Sequence, residues 1–335
     1  MTILKIGDSP IKCYPVHTCH LSILTTIPSY EPWFYSNYIQ ITAPEEFGYD
    51  PTKIIDFFNY DEISPFYNFS PFVSETQIGR GSYPNDILKD ILYLLDDNNY
   101  IKLYVDDYYI PFRKQNRHIP HEIFIYGYNS NSCVLFVLGY DIYGNLTKET
   151  VTFSELQQAY TSANKLIFSI FSKYKSSHWM HVNYFYKTNV IHADIDFKHM
   201  IFLLESYLNS LPYEKMPYMI CGLAVYDLVK KFYSLNFRKF INIRPFHLLW
   251  EHKKVMFDRV SYLSAHYFKK DADYKQAFYD LQKDYFLLRN KIVKGNINNS
   301  HLEPELFSEH LNSLIAKESA MLDRLLKDLY PLVCN

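Results

Sequence analysis

The chain lacks an apolar run long enough to cross a bilayer. Its densest stretch, Cys133 to Tyr140 (CVLFVLGY), falls far short of the roughly 20 residues that a spanning helix needs. The opening segment, MTILKIGDSPIKCYP, has no long apolar core of the kind that marks a secretory leader, so a cytoplasmic protein with no membrane partner is expected. There is also no basic block. With 34 basic and 36 acidic side chains the net charge is -2, which leaves no electrostatic footprint for nucleic acid. Five cysteines at positions 13, 19, 133, 221 and 334 are an odd, scattered set that makes no disulfide framework and suits a reducing compartment. No glycine-rich nucleotide loop is present, and no cofactor is expected.

A metal site is also poorly supported. Cys13, His17 and His20 fall on one helical face with Cys19 adjacent, but structural zinc takes four ligands from paired short motifs, and no second motif accompanies this one. His178 and His181 flank Trp179 on a strand-like run, where they point to opposite faces and read as core or surface histidines. Cys221 lies in the apolar segment MICGLAVYDLV and reads as packed.

What the chain does have is apolar content: 335 residues at 48% hydrophobic can bury one large core or two ordinary ones without staples. Thirty-two tyrosines accompany abundant asparagine, lysine and isoleucine, a compositional bias with no functional weight. Residues 14 to 27 carry Val16, His20, Ile23 and Ile27 at helical spacing, with Pro15 where a first turn tolerates it. Cys13 is therefore expected at a helix mouth. From Glu31 to about Pro84 the sequence reads as loops with short elements, among them Tyr38 to Ile41 and Ile54 to Tyr60.

Strand-like runs follow at Tyr100 to Ile110, His121 to Tyr128 and Cys133 to Asp141, the last two joined by the turn-forming Asn129 to Ser132. If Tyr128 pairs with Cys133, an antiparallel register sets His121 opposite Tyr140 and beside Asp141. Glu155 to Tyr160 reads as a short helix and Trp179 to Lys187 as a strand. Beyond about Asp196 long amphipathic helices take over, with apolar sets such as Leu249, Met256, Val260 and Leu263, punctuated by Pro245, Gly295 and Pro304. The expected organisation is α+β: an N-terminal region with an antiparallel sheet over 1–195 and a helical lobe over 196–335, packed as one unit.

The chemistry centres on Cys13, His121 and Asp141. A thiol at a helix N-terminus meets the positive end of the dipole and unpaired N–H groups, which favour thiolate and can cradle an oxyanion. An imidazole base and a carboxylate that orients it usually come from distant parts of the chain. Each residue also has a plainer account. Most cysteines are small buried hydrophobes; His121 could be a strand-end histidine, and His118 competes with it as base; Asp106, in the strand before His121, rivals Asp141 as the acid. The alternation His121, Ile123, Ile125 and the hairpin register favour the first set.

The run VDDYYIPF, then HIPHEIFIYGYN, CVLFVLGYD and TFSELQQAY, resembles the N-terminal domain of the butirosin biosynthesis protein H family, papain-like cysteine acyltransferases of natural-product clusters. CGLAVYDLVKKF and RPFHLLWEHKKVMFDRVSYL resemble the helical part of the same proteins, so the likeness covers most of the chain. It implies a papain-like cysteine protease fold, a triad mapped onto Cys13, His121 and Asp141, and transfer of an acyl group from the phosphopantetheine arm of an acyl or peptidyl carrier protein to a small amine or diamine. Papain-type proteases carry an oxyanion-hole glutamine shortly before the cysteine. Ile3 to Lys12 contains none, which leaves the oxyanion donor unassigned and weakens a proteolytic reading.

Three functions are thus open: an amide-forming acyltransferase, a cysteine peptidase or thioesterase that uses water, and a papain-like scaffold used only for binding.

Overall fold

The structure is a computed structural model, and it describes residues 1–50, 53–58, 70–82, 87–113, 115–170, 182–189, 191–268 and 273–333. In chain order the first elements are β1 (Thr2–Ile3), α1 (Pro15–Leu24), α2 (Tyr30–Asn37), β2 (Gln40–Pro44), β3 (Asp56–Phe58), β4 (Val73–Gly79) and α3 (Leu88–Asp96). Then come β5 (Tyr100–Asp106), β6 (Pro120–Asn129), β7 (Val134–Tyr140), β8 (Leu146–Thr152), α4 (Phe153–Ile170) and β9 (Val182–Thr188). The rest is α5 (Phe197–Leu208), β10 (Met219–Cys221), α6 (Val225–Asn236), α7 (Arg244–His266), α8 (Asp273–Asn298) and α9 (Pro304–Val333). The fold is mixed α and β with antiparallel sheets. No helix among the described residues is long and apolar enough to cross a membrane.

The chain divides into two compact units. The first comprises Met1–Pro28 and Phe69–Ile191, and its sheet runs β4, β9, β5, β6, β7, β8 with β1 paired to β6. Period-two alternation explains its two faces. Ile101, Leu103 and Val105 of β5, with Ile123 and Ile125 of β6 and Leu135 and Val137 of β7, form a core with Ile91 and Leu95 of α3 and Leu156 and Tyr160 of α4. Tyr100, Lys102 and Tyr104 alternate with these residues along β5. In register with Lys102 are Phe124 of β6 and Tyr184 of β9, and Tyr186 of β9 meets His20 of α1 edge-on. α4 starts where Thr152 and Glu155 cap each other: the Glu155 carboxylate accepts from the Thr152 N–H at 2.8 Å, and the Thr152 hydroxyl accepts from the Glu155 N–H at 3.2 Å. The helix is accordingly longer than the expected Glu155 to Tyr160.

The second unit comprises Ser29–Asn68 and His192–Asn335, with a small sheet ordered β10, β2, β3 and the helices α2 and α5 to α9. The sequence reading kept 29–68 with the N-terminal region. The structure joins it to the C-terminal helices because buried donors of α7 hold its backbone: Arg259 donates to the carbonyls of Tyr35 and Tyr38, and His252 to that of Ile39 at 2.6 Å.

Most expected strands appear with shifted ends: β5 and β7 are shorter than expected, and β6 is one residue longer at each end. β5 stops at Asp106, where the Asp106 carboxylate accepts from the Tyr108 N–H and starts a 3-10 turn over Asp107–Tyr109. The β6–β7 hairpin differs in register from the expectation. Its turn uses Ser130 to Cys133, with Cys133 at φ 53°, so that Asn129 pairs with Val134; a bulge at Tyr126 then shifts the pairing, giving Phe124 opposite Leu138. Of the expected strand Trp179 to Lys187, residues 182–187 are seen within β9, while 179–181, with His178 and His181, lie outside the described residues. So does Cys334.

Candidate active site

Cys13 is partly exposed and sits just ahead of Tyr14, the N-cap of α1, whose extended backbone (φ -133°, ψ 140°) turns the chain into the helix at Pro15. The approach to the helix is firmly held. Ser9 Oγ donates to the Ile11 carbonyl at 2.5 Å, and Thr18 Oγ1 lies within hydrogen-bond reach of the carbonyls of Ile11 and Tyr14. Tyr140, the last residue of β7, donates its hydroxyl to the Lys12 carbonyl at 2.8 Å and pairs with Thr18 Oγ1 at 2.8 Å. The peptide preceding Cys13 is thereby fastened to the end of a strand.

That strand end lies next to the start of β6. Carried on from Phe124 opposite Leu138, the β6–β7 register sets Glu122 opposite Tyr140 and His121 opposite Asp141. A cleft agrees with this, since Pro15, Thr18 and Cys19 of α1 line it together with Glu122, Phe124, Leu138 and Tyr140.

Three aspartates lie in this region with the histidines, and each is engaged differently. Asp141, the expected acid, accepts at Oδ1 from the N–H groups of Tyr143 and Asn145, both at 2.8 Å, and at Oδ2 from the Asn145 side chain at 3.1 Å. Desolvation pushes its carboxyl up, but the bonds from Asn145, Tyr143 and Gly144 outweigh that and hold it below the usual range. Its hydrogen bonds in the structure thus serve the β7–β8 turn. Asp106, the rival acid, is fully buried and pairs with His118, the rival base, at 2.6 Å; it also accepts from Ser162 Oγ at 2.6 Å and from the N–H groups of Tyr108 and Ile119. The two competitors of the sequence reading therefore belong to each other. The His118 ring lies tilted against that of Tyr108, with centroids 4.4 Å apart.

The third carboxylate is Asp107, which sequence reasoning passed over. Its Oδ2 stands 3.5 Å from Nδ1 of His121, whose other nitrogen lies 3.9 Å from Glu122 Oε2. Asp107 Oδ1 receives a short bond from Arg113 Nη1, and Arg113 Nη2 donates to the main-chain carbonyl of Glu122. The sequence held one signal, the doublet Asp106–Asp107, but strand alternation alone directs attention to only one member of it.

Around these groups the remaining candidates are inert. Burial pushes the Cys19 thiol up to about 12 and the His20 imidazole down to about 3, neither state being suited to nucleophilic or base chemistry at neutral pH. Cys221 is buried beside Thr42 Oγ1. Among the described residues no group of three His, Cys, Asp or Glu side chains is arranged to hold a metal ion. The arrangement as a whole offers a partly exposed thiol at a helix start, a half-exposed imidazole on an adjacent strand, and carboxylates on either side of it.

No protein-family model matches the chain, and no curated protein matches it at a significant level.

Proposed function

We propose that the protein is a papain-like, cysteine-dependent acyltransferase that takes an acyl group from a carrier-protein thioester and gives it to an amine. The observation that carries this reading is the Tyr140 link: its hydroxyl holds the carbonyl of Lys12, next to Cys13, at the strand end that the β6–β7 register sets beside His121. In the first step the Cys13 thiolate attacks the thioester carbonyl, a bond forms between Sγ and the acyl carbon, and the pantetheine thiolate leaves and takes a proton from the His121 imidazolium. In the second step an amine nitrogen attacks the same carbon, His121 removes its proton, and the bond to Sγ breaks to restore the thiolate. The sequence pattern assigns Asp141 to orient the imidazole, whereas in the structure its carboxylate accepts hydrogen bonds from its own turn. Both steps run from thioester to thioester to amide, so no nucleotide is consumed.

Intact-mass measurement after exposure to an acylated carrier protein tests this reading. A mass gain equal to the acyl group, present in the wild-type chain and absent in Cys13→Ala, is expected; no gain on either chain rejects the proposal. Adding an amine should then discharge the acyl group as amide, whereas release as free acid with and without amine would make water the acceptor and the protein a thioesterase or peptidase.

A further inference from the structure

The two oxygens of Asp107 face different partners. One oxygen is bound by Arg113 and the other is turned to His121 Nδ1, while the side chains of Asp107 and Arg113 are 8% and 1% exposed. Arg113 does not hold Asp107 alone. Its second arm reaches the carbonyl of Glu122, the residue that follows His121, so the guanidinium ties the carboxylate to the same strand that carries the imidazole. A planar fork with fixed donor directions is suited to this task in a way that a lysine ammonium is not.

The neighbouring strand makes room for the fork. A Cβ at Gly139 of β7 would stand 2.9 Å from Arg113 Nη2 and 3.2 Å from the Phe112 ring, so a glycine at this position allows the close approach. Of the other carboxylates, Asp106 is committed to His118, Ser162 and two backbone N–H groups and Asp141 to its own turn, while Glu122, 3.9 Å from His121 Nε2, accepts from the Tyr104 hydroxyl at 2.5 Å.

We propose that Asp107, locked in place by Arg113, is the positioning residue for His121, fixing its ring as the Nδ1–H tautomer and leaving Nε2 to accept the proton. This inference rests on the cysteine–histidine reading above. A separation of 3.5 Å is at the outer edge of a hydrogen bond, a spacing that tightens when a proton and a substrate arrive. When Nε2 is protonated the imidazolium faces the Asp107 carboxylate, whose charge Arg113 shares; orientation is therefore the larger part of the effect and charge stabilisation the smaller.

The test uses full-length protein labelled with ¹⁵N at histidine, together with iodoacetamide as the probe of Cys13. In the wild type, long-range ¹H–¹⁵N correlations are expected to show neutral His121 protonated on Nδ1; a dominant Nε2–H form overturns the proposal without any variant. Asp107→Asn should mix the two tautomers, displace the pH profile of Cys13 alkylation and slow alkylation at neutral pH by about threefold to tenfold. Asp141→Asn should leave the tautomer unchanged. The reverse pattern, with Asp107→Asn like wild type and Asp141→Asn altered, overturns the assignment. If Asp107→Asn does not fold, Arg113→Lys takes its place, and an unchanged His121 spectrum in that variant also overturns it. Should Cys13 react no faster than an ordinary exposed thiol, the acyltransferase reading fails, whereas the His121 tautomer still decides the role of Asp107.

Discussion

Cys13 and Cys19 occupy opposite environments within one short stretch, and the difference is readable in side-chain chemistry. Cys19 is buried and its thiol is pushed up to about 12, so at pH 8 it stays protonated and shielded. Peptide mapping after brief alkylation is therefore expected to find Cys13 modified and Cys19 untouched, and Cys19→Ala should leave the labelling of Cys13 as it was. His20 gives a pH prediction. Burial, then the neighbouring His17 and Lys102, drop its imidazole from 6.5 to about 3, so between those values the unfolded chain binds a proton that the folded chain refuses. The stability associated with a neutral His20 is complete above about pH 6.5 and is lost as the pH falls toward 3. Urea midpoints at pH 7 and pH 4.5 should differ more for the wild type than for His20→Phe. At this scale the sequence placed Cys13 ahead of a helix, through Pro15, and His121 on a strand, through alternation, and the structure has both placements. It did not disclose Asp107, because the chain leaves β5 in a 3-10 turn whose geometry depends on Asp106 capping it.

Among the elements, the capping pair at the start of α4 is the simplest to test. Thr152→Ala removes a hydroxyl that accepts from the Glu155 N–H and is expected to cost about 1 kcal/mol in urea denaturation. The bulge at Tyr126 gives a less obvious prediction. It places one residue of slack in β6, since Ile125 pairs with Val137 and Gly127 with Phe136. Deleting Tyr126 should close the ladder while leaving Asp141 opposite His121, so the deletion variant is expected to keep Cys13-dependent acyl loading in the same mass assay. Hairpin counting from sequence missed this because a bulge has no signature in the apolar pattern. β5, β6 and β7 were legible as alternating apolar runs; β4 and β8 were not, because each ends the sheet and exposes polar residues such as Thr76, Gln77, Lys148 and Thr150 along one or both faces.

Across the whole molecule, the second unit is built around charge buried on α7, which hydropathy patterning reads as solvent-facing. Lys253 Nζ is fully buried, paired with Glu318, within 2.9 Å of Tyr207 Oη and His252 Nδ1, and surrounded by the rings of Tyr207, Tyr226 and Tyr285. Burial pushes its ammonium down to about 8 against the opposing pull of Glu318. Removing one partner strands the other, so Lys253→Met is expected to cost about 3–5 kcal/mol, and Lys253→Met combined with Glu318→Leu should recover most of that in urea denaturation. The helical character of the C-terminal region was legible from apolar spacing, whereas the allegiance of residues 29–68 was not, because it depends on single donors of α7 reaching carbonyls far away in sequence. Those donors have a temporal consequence. Arg259 follows Tyr35 by 224 residues and Tyr38 by 221, so a ribosome exposes the carbonyls of α2 long before it makes the guanidinium that satisfies them. The second unit is opened before the first is finished and sealed only when α7 emerges, and a nascent chain halted near residue 195 would carry Cys13, His121 and Asp141 while an early segment still waited for its anchor.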